Sequence, residues 1–103
     1  MSLPLPLRPH LEAELDLLDA ALYYAGRSPS ASEGFLAAIE EALAQLAAVP
    51  RVAPAWPGLP DVRRLVLTTY PYAIVYAITP EEILVLAFEH LKRRPGRWLA
   101  RLR

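Results

Sequence analysis

The first regular pattern of apolar and polar positions in the chain has the spacing of an α-helix. Four leucines recur at intervals of four, three and four residues, so they fall on one stripe of the helix: Leu11, Leu15, Leu18 and Leu22. Acidic side chains fill the other side and are predicted to form a solvated face: Glu12, Glu14, Asp16 and Asp19. Gly26 and the Arg-Ser-Pro-Ser sequence that follows it end this helix.

A second helix is predicted from residue 29 to about residue 48. Ser28 precedes Pro29, which is typical of an N-cap followed by the first helical residue. Four apolar residues at helical spacing are expected to face inward: Phe35, Ile39, Leu43 and Leu46. Pro50 ends the helix. Because only a short break separates the two helices, they are predicted to pack as an antiparallel hairpin.

Segments with a period of two predict the strands. Residues 3–8 alternate Leu with Pro, and a strand containing Pro belongs at a sheet edge, the alternative being a disordered Pro-rich leader. Residues 50–61 contain four prolines and are predicted to be irregular. Three strands are expected afterwards, at residues 63–69, 72–78 and 83–90. In the middle one, the large side chains share one face: Tyr72, Ile74, Tyr76 and Ile78.

The order of these elements is β-α-α-β-β-β, and it predicts an α+β fold. We expect a two-layer sandwich in which the helical hairpin packs on one face of a four-stranded, largely antiparallel sheet. A chain of 103 residues is expected to form a single domain, residues 1–103.

Composition narrows the classes of function. The chain has no Cys and only two distant His, so disulfides, thiolate catalysis and a metal site are not expected, and no cofactor is predicted. No segment is long and apolar enough for a membrane span, and the N-terminal sequence lacks the features of a signal peptide, which predicts a cytoplasmic protein. The apolar share of 54% is somewhat high, which indicates either a partner-covered surface or an Ala- and Leu-rich core.

A net charge of zero conceals an asymmetry between the two halves. Residues 1–50 hold two basic and seven acidic side chains, whereas residues 51–103 hold nine and four. Six of the basic residues follow His90 with no acid among them, and Trp98 lies between them. A basic, aromatic segment of this kind is typical of contact with a phosphate backbone or an acidic partner.

Two kinds of residue are candidates for chemistry or recognition. His90 ends the last strand, and with Arg63 and Arg64 it would suit RNA cleavage, because His moves protons and Arg stabilises phosphate charge. The alternative is a His90 that is hydrogen-bonded at the strand end and fixes the C-terminal segment. By strand alternation, Arg63 and Arg64 point to opposite faces.

Four aromatic residues are candidates for recognition, and for each of them a packing role and a partner-binding role are the alternatives: Trp56, Tyr72, Tyr76 and Trp98.

An ordered set of short motifs resembles the ParE branch of the RelE/ParE toxin superfamily. The motifs are Tyr-Tyr, Ser-Pro and Phe-Leu in the helical region, Val-Arg-Arg at 62–64, Tyr-Pro-Tyr at 70–72, Val-Tyr at 75–76 and His90-x-x-Arg93-x-Pro95-x-x-Trp98. The resemblance implies a β-α-α-β-β-β fold with an edge first strand. It also implies an antitoxin that wraps the toxin and covers apolar surface. ParE-like members poison DNA gyrase, whereas RelE-like members cut messenger RNA in the ribosome.

The resemblance leads to three hypotheses. The first is a gyrase-inhibiting toxin without cofactor, neutralised by a cognate antitoxin. In this hypothesis the target is bound by Arg93, Arg94, Arg97, Trp98 and Arg101. The antitoxin is bound by Tyr72, Tyr76 and Trp56. The second is a ribosome-dependent endoribonuclease acting on messenger RNA, with His90, Arg63 and Arg64 as catalytic residues. Its support is reduced by Leu91, where the RNA-cutting branch has Tyr, and by the lack of a Lys-rich segment. The third is a non-toxic binding relative.

Overall fold

A computed structural model describes residues 4–102 of the chain, so Leu3 and Arg103 lie outside the described part. The elements follow in the order β1 (Leu7–Pro9), α1 (Leu11–Ala25), α2 (Pro29–Ala48), β2 (Ala55–Trp56), β3 (Leu59–Val66), β4 (Tyr72–Ile78) and β5 (Ile83–His90). A short 3₁₀ helix, Arg97–Leu102, ends the described chain. The predicted helical hairpin is confirmed, and α2 begins as expected, since the Ser28 side chain accepts a hydrogen bond from Ala31 N.

The strands form one mixed sheet in the order β1-β5-β4-β3-β2. Strand β1 lies at the edge and runs parallel to β5, and the other neighbours are antiparallel. The α+β sandwich and the edge position of the first strand are therefore confirmed. The bounds of β4 and β5 are those predicted from the sequence.

The prediction of an irregular segment at residues 50–61 holds for residues 50–54 but is wrong from residue 55 onward, and the sheet has five strands instead of four. Trp56 pairs with Leu59 across a two-residue turn, which makes β2 and the start of β3 a hairpin. Gly58 has a φ of 80°, which a residue without a side chain adopts at no steric cost. The Pro57-Gly58 pair thus forms the turn between β2 and β3.

The core between the hairpin and the sheet follows the predicted pattern. Phe35, Ile39 and Leu46 of α2 are buried, and Leu43 packs against them at the margin. The face of β4 that meets them carries the large residues predicted to share one side: Tyr72, Ile74, Tyr76 and Ile78.

Helix α1 is oriented differently from what its leucine stripe indicates. The four stripe leucines are exposed, with relative accessibilities between 53% and 69%, and α1 instead meets the core through Ala13 and Ala20. Small alanines at these two positions allow the helix to approach the sheet closely. The prediction that Asp16 belongs to a solvated face is also wrong, because its side chain is only 11% exposed.

The other face of the sheet is covered by the C-terminal 3₁₀ helix. Trp98 is fully buried there, against the face of the sheet formed by Val62, Val75, Ala77, Leu86 and Ala87. Trp56 meets Trp98 edge-on, with ring centroids 4.9 Å apart. Trp56 therefore makes a packing contact that fixes the β2–β3 hairpin to this second core.

Candidate functional site at the C-terminal segment

A cavity of about 270 Å³ lies between α1 and the end of β5. Its lining combines a histidine, an arginine, two carboxylates and three aromatic rings: Asp16, Asp19, Ala20, Tyr23, Tyr72, Phe88, His90 and Arg93. A concave surface with several converging polar groups is the usual form of a binding site. Three residues of this lining, Tyr72, His90 and Arg93, were predicted from the sequence, and the α1 residues were not.

His90 is held in one orientation at the rim of this cavity. Its Nδ1 accepts a hydrogen bond from the backbone N–H of Lys92 at 3.0 Å, and Tyr72 meets the ring edge-on at 5.0 Å between centroids. Because Nδ1 accepts, the neutral imidazole is expected to carry its proton on Nε2. His90 is thus arranged as a hydrogen-bond donor toward a ligand. A general base would need a nitrogen whose lone pair is not already occupied.

The structure does not bring Arg63 and Arg64 together with His90. The Arg63 guanidinium donates to the carbonyl of Ala53 at 2.6 Å and to that of Arg51 at 3.2 Å. Arg63 lies opposite Tyr76, four residues along β4 from the Tyr72 that faces His90, a separation of roughly 13 Å.

Arg64 lies on the other face of the sheet, under the C-terminal segment. It pairs with Val75 in the β3–β4 register, and its Nε is 3.8 Å from a carboxylate oxygen of Glu89. The sequence left open which of the two arginines points away from the hairpin, and the structure shows that it is Arg64. The three residues assigned to a nuclease therefore occupy separate places in the fold.

The basic residues of the C-terminal segment divide into anchoring and displayed groups. Trp98 and Arg101 are buried, whereas Arg93, Arg94 and Arg97 are exposed. All five were assigned to target binding. In this structure Trp98 and Arg101 are engaged in contacts within the chain. Arg93 and Arg94 present their charge to a partner, and so does Arg97, although its guanidinium also lies 4.0 Å from Asp16.

Arg101 is bound by the acidic side of α1. It donates to Asp16 at 2.6 Å, to Glu12 at 3.0 Å and to the backbone carbonyl of Leu86 at 2.9 Å. Burial alone would lower the pKa of Arg101, but the hydrogen bonds and charges of Asp16 and Glu12 outweigh it and raise that pKa above its ordinary value. A buried guanidinium with charged partners and a carbonyl is satisfied in this way.

Asp16 and Arg101 also occupy part of the open edge of β5. Strand β1 pairs with β5 only at residues 83–85, so the later residues of β5 have no strand on that side. Asp16 accepts from Phe88 N at 3.3 Å, while Arg101 donates to Leu86 O. Side chains thus replace the hydrogen bonds that a neighbouring strand would make, which protects the edge from pairing with another chain.

Glu89 is a buried carboxyl that the sequence-based predictions did not include. It is 3% exposed, and neither of its oxygens has a hydrogen-bond partner among residues 4–102. Desolvation raises the pKa of Glu89 above its ordinary value, and the charge of Arg64 offsets part of that effect. The only sequence signal was a single acid within an otherwise apolar strand. Strand alternation would have placed it on the same face as Arg64.

We expect Glu89 to make the stability of the protein depend on pH. Because its pKa is raised on folding, the folded protein binds this proton more tightly, and stability falls as pH rises from about 4.3 through the folded pKa. Glu89→Gln should therefore unfold less readily than wild type at pH 8, and its advantage should shrink toward pH 4. Urea titrations across this range measure it, with exposed Glu81→Gln as control. A constant difference between wild type and Glu89→Gln at all pH values would contradict the burial argument.

Two of the three residues assigned to partner binding are accessible. Tyr72 lines the cavity, and Trp56 is half-buried against Trp98. Tyr76 is fully buried, and its hydroxyl donates to the carbonyl of Pro50 at 2.6 Å. Together with Arg63, Tyr76 fixes the start of the Pro-rich loop, which is a structural role.

No helix in the described part of the chain is long and apolar enough to cross a membrane. Within residues 4–102, no three His, Cys, Asp or Glu side chains are grouped closely enough to hold a metal ion.

The fold is a helical hairpin on one face of a mixed sheet, with a basic segment returning over the opposite face. The sequence profile described as "ParE toxin of type II toxin-antitoxin system, parDE" matches residues 7–95. The chain therefore belongs to the ParE toxin family.

A solved structure described as the chromosomal ParDE TA system from P. aeruginosa contains a similar chain. The TM-score is 0.74 at 22% sequence identity, and the alignment covers 86% of this chain and 98% of that one. At this identity the likeness concerns the fold. No curated protein matches the chain.

Proposed function

We propose that this protein is a toxin that inhibits DNA gyrase in the cytoplasm and is neutralised by a cognate antitoxin. The observation that carries the proposal is membership of the ParE family over residues 7–95. The site also supplies a surface that could contact the target, because the C-terminal segment is anchored at Trp98 and Arg101 and exposes Arg93, Arg94 and Arg97.

The displayed arginines suit an acidic protein surface or a DNA backbone. They lie in the half of the chain with the positive charge, and Arg93 also lines the cavity. Exposed cations of one sign raise the rate of association with an oppositely charged partner by roughly 10- to 1000-fold. In the proposed function this segment contributes to contact with the gyrase–DNA complex.

The endoribonuclease alternative has less support. Its residues do not converge, because Arg63 is bonded to loop carbonyls and Arg64 faces the opposite side of the sheet from His90. In addition, the Nδ1 of His90 already accepts a hydrogen bond. Phosphoryl transfer needs the acid, the base and the cations within reach of one phosphate.

Inducible expression in a gyrase-dependent bacterium tests the proposal. The proposed function predicts DNA breaks and an SOS response while protein synthesis continues. A prompt stop of translation with cleaved messages would instead indicate the ribosome as target. Growth without either effect, with the protein present and folded in the cells, would show that the protein is not toxic to that host.

Replacing the displayed arginines should weaken the toxin without unfolding it. We expect the double variant Arg93→Ala/Arg94→Ala to need about tenfold more protein for the same number of DNA breaks, because electrostatic attraction to the target is reduced. The matched control is Arg27→Ala/Arg51→Ala, which removes two exposed arginines outside the C-terminal segment. Equal potency of the two double variants would exclude a special role of Arg93 and Arg94.

A further inference from the structure

Two opposite charges line the cavity between α1 and the end of β5 without pairing with each other. Asp19 comes from α1 and Arg93 from the segment after β5, and neither belongs to an ion pair among residues 4–102. The other carboxylate of the lining, Asp16, is already bound to Arg101 and to Phe88 N. The cavity therefore offers a ligand one unused acceptor group on one side and one unused donor group on the other.

Both of these charges lie close to the hydroxyl of Tyr72. Burial raises the pKa of this hydroxyl above its ordinary value, while the charge of Arg93 lowers it and that of Asp19 raises it. Such effects weaken with distance, so the two charges lie near the same point of the lining. The N–H that His90 is expected to carry on Nε2 adds a second donor on the side of Arg93.

The rest of the lining favours a flat ligand. It contains the rings of Tyr23, Tyr72 and Phe88, and planar bases stack on aromatic side chains of this kind. Asp19 and Arg93 are exposed, and ion pairs with exposed groups contribute little to binding. A small zwitterion held by these two charges alone would therefore bind weakly. The volume of about 270 Å³ lies just below the usual range of roughly 300–1,000 Å³ for ligand sites, which suits a single ring system.

We propose that this cavity binds a guanine base. Guanine presents two adjacent donors, N1–H and N2–H, that match the two oxygens of Asp19, and its neighbouring edge presents the acceptors O6 and N7 to Arg93 and His90. Adenine has only one donor next to an acceptor on the first edge, and the pyrimidines have no N7 on the second. The donors and acceptors of the lining thus select guanine among the bases.

The base can belong to a free nucleotide or to an unpaired DNA strand. Lys92 and Arg94 flank Arg93 in the chain and are exposed, so positive charge is available for a phosphate in either case. The inference rests on the proposed function only in the choice of DNA as the polymer.

Calorimetric titrations of the purified protein test the selectivity and the source of the base. Among the four deoxynucleoside monophosphates, deoxyguanosine monophosphate should bind about tenfold more tightly than the others. Two single-stranded thymine oligonucleotides, one of which has a single central guanine, are titrated beside them. Tighter binding of the guanine oligonucleotide than of the free nucleotide would identify a DNA strand as the source, and equal or weaker binding would identify the nucleotide.

Substitutions in the lining separate recognition of the base edge from stacking. Asp19→Asn should weaken binding of deoxyguanosine monophosphate about tenfold and change that of deoxyadenosine monophosphate little, because a carboxamide has one acceptor oxygen instead of two. Tyr23→Leu should weaken binding of all four nucleotides and keep their order. The matched control Glu14→Gln changes an exposed acid of the same helix outside the cavity and should bind like wild type.

Three outcomes would overturn the proposal. They are equal affinity for the four nucleotides, a preference for guanine that survives Asp19→Asn, and no binding of any nucleotide or oligonucleotide at millimolar concentration. The titrations contain neither gyrase nor cells. A failure of the toxin proposal therefore leaves the binding result unaffected, and a failed binding result leaves toxicity unaffected.

Discussion

Trp98→Ala is expected to destabilise the protein by about 3–5 kcal/mol. Trp98 is fully buried between the sheet and the C-terminal 3₁₀ helix, and it is the main side chain holding that helix in place. Removing the indole leaves a cavity that the rigid strands β3, β4 and β5 cannot close. Urea unfolding followed by circular dichroism measures the loss.

Two further variants keep this prediction testable if Trp98→Ala fails to fold. Leu99→Ala changes a neighbour on the same helix that is 50% exposed, and should alter the unfolding free energy by about 0.5 kcal/mol or less. Trp98→Phe should lie between the two, because Trp98 Nε1 has no hydrogen-bond partner in the described chain and phenylalanine keeps most of the apolar contact. Similar losses for Leu99→Ala and Trp98→Phe would show that Trp98 does not anchor the segment.

Asp16→Asn is the second change with a large expected effect. It removes the charge that pairs with the buried guanidinium of Arg101 at 2.6 Å and weakens the acceptor of Phe88 N. Breaking a buried ion pair from one side costs about 3–5 kcal/mol. Because the exposed Glu12 still compensates part of the charge of Arg101, the loss should lie near the lower end of this range. Glu14→Gln, an exposed acid on the same helix, is the matched control and should change stability by about 0.5 kcal/mol or less.

A double substitution distinguishes a lost ion pair from a loss of helix packing. Asp16→Leu/Arg101→Met removes both charges together and is expected to recover most of the stability lost in Asp16→Asn, because no unpaired charge stays buried. If Asp16→Asn behaves like Glu14→Gln, or if the double variant is as unstable as the single one, the ion pair does not hold the C-terminal segment.

The anchoring roles of Trp98 and Arg101 also determine how the C-terminal segment should be tested for function. A deletion of residues 97–103 removes Trp98 and Arg101 together with the displayed Arg97, so loss of activity would follow from unfolding alone. Substitution of the exposed Arg93 and Arg94 separates target contact from folding, because neither side chain belongs to the buried core.

Strands β4 and β5 and helix α2 were predictable because local pattern and packing agree there. In β4 the large and small residues alternate, and the sheet places the two sets on different cores, as the alternation requires. Phe35, Ile39 and Leu46 likewise combine helical spacing with the size that the core needs.

Helix α1 shows where local pattern is insufficient. Its leucines give the stronger apolar stripe, but close approach to the sheet requires the small side chains of Ala13 and Ala20. The partner that decides the position of Asp16 is Arg101, which lies 85 residues further along the chain. No local pattern relates two residues so far apart.

The candidate site was predictable only in part, because it also combines residues that lie far apart in the sequence. His90, Tyr72 and Arg93 belong to neighbouring strand ends and were found from the sequence, and the cavity they line is formed with Asp19 and Tyr23 of α1. The separation of Arg63 from Arg64 follows from strand alternation. Their distance from His90 depends on strand order and on the loop carbonyls that Arg63 binds.

The central claim, that this member of the ParE family acts on gyrase, is tested most directly with purified components. Wild-type protein is added to DNA gyrase, ATP and relaxed plasmid, and supercoiled and linear DNA are quantified against Arg93→Ala/Arg94→Ala. The proposed function predicts loss of supercoiling or accumulation of linear DNA at concentrations about tenfold lower for wild type than for the variant. Undisturbed supercoiling by gyrase at a large excess of folded protein, under conditions in which the same preparation cuts ribosome-bound messenger RNA, would contradict it.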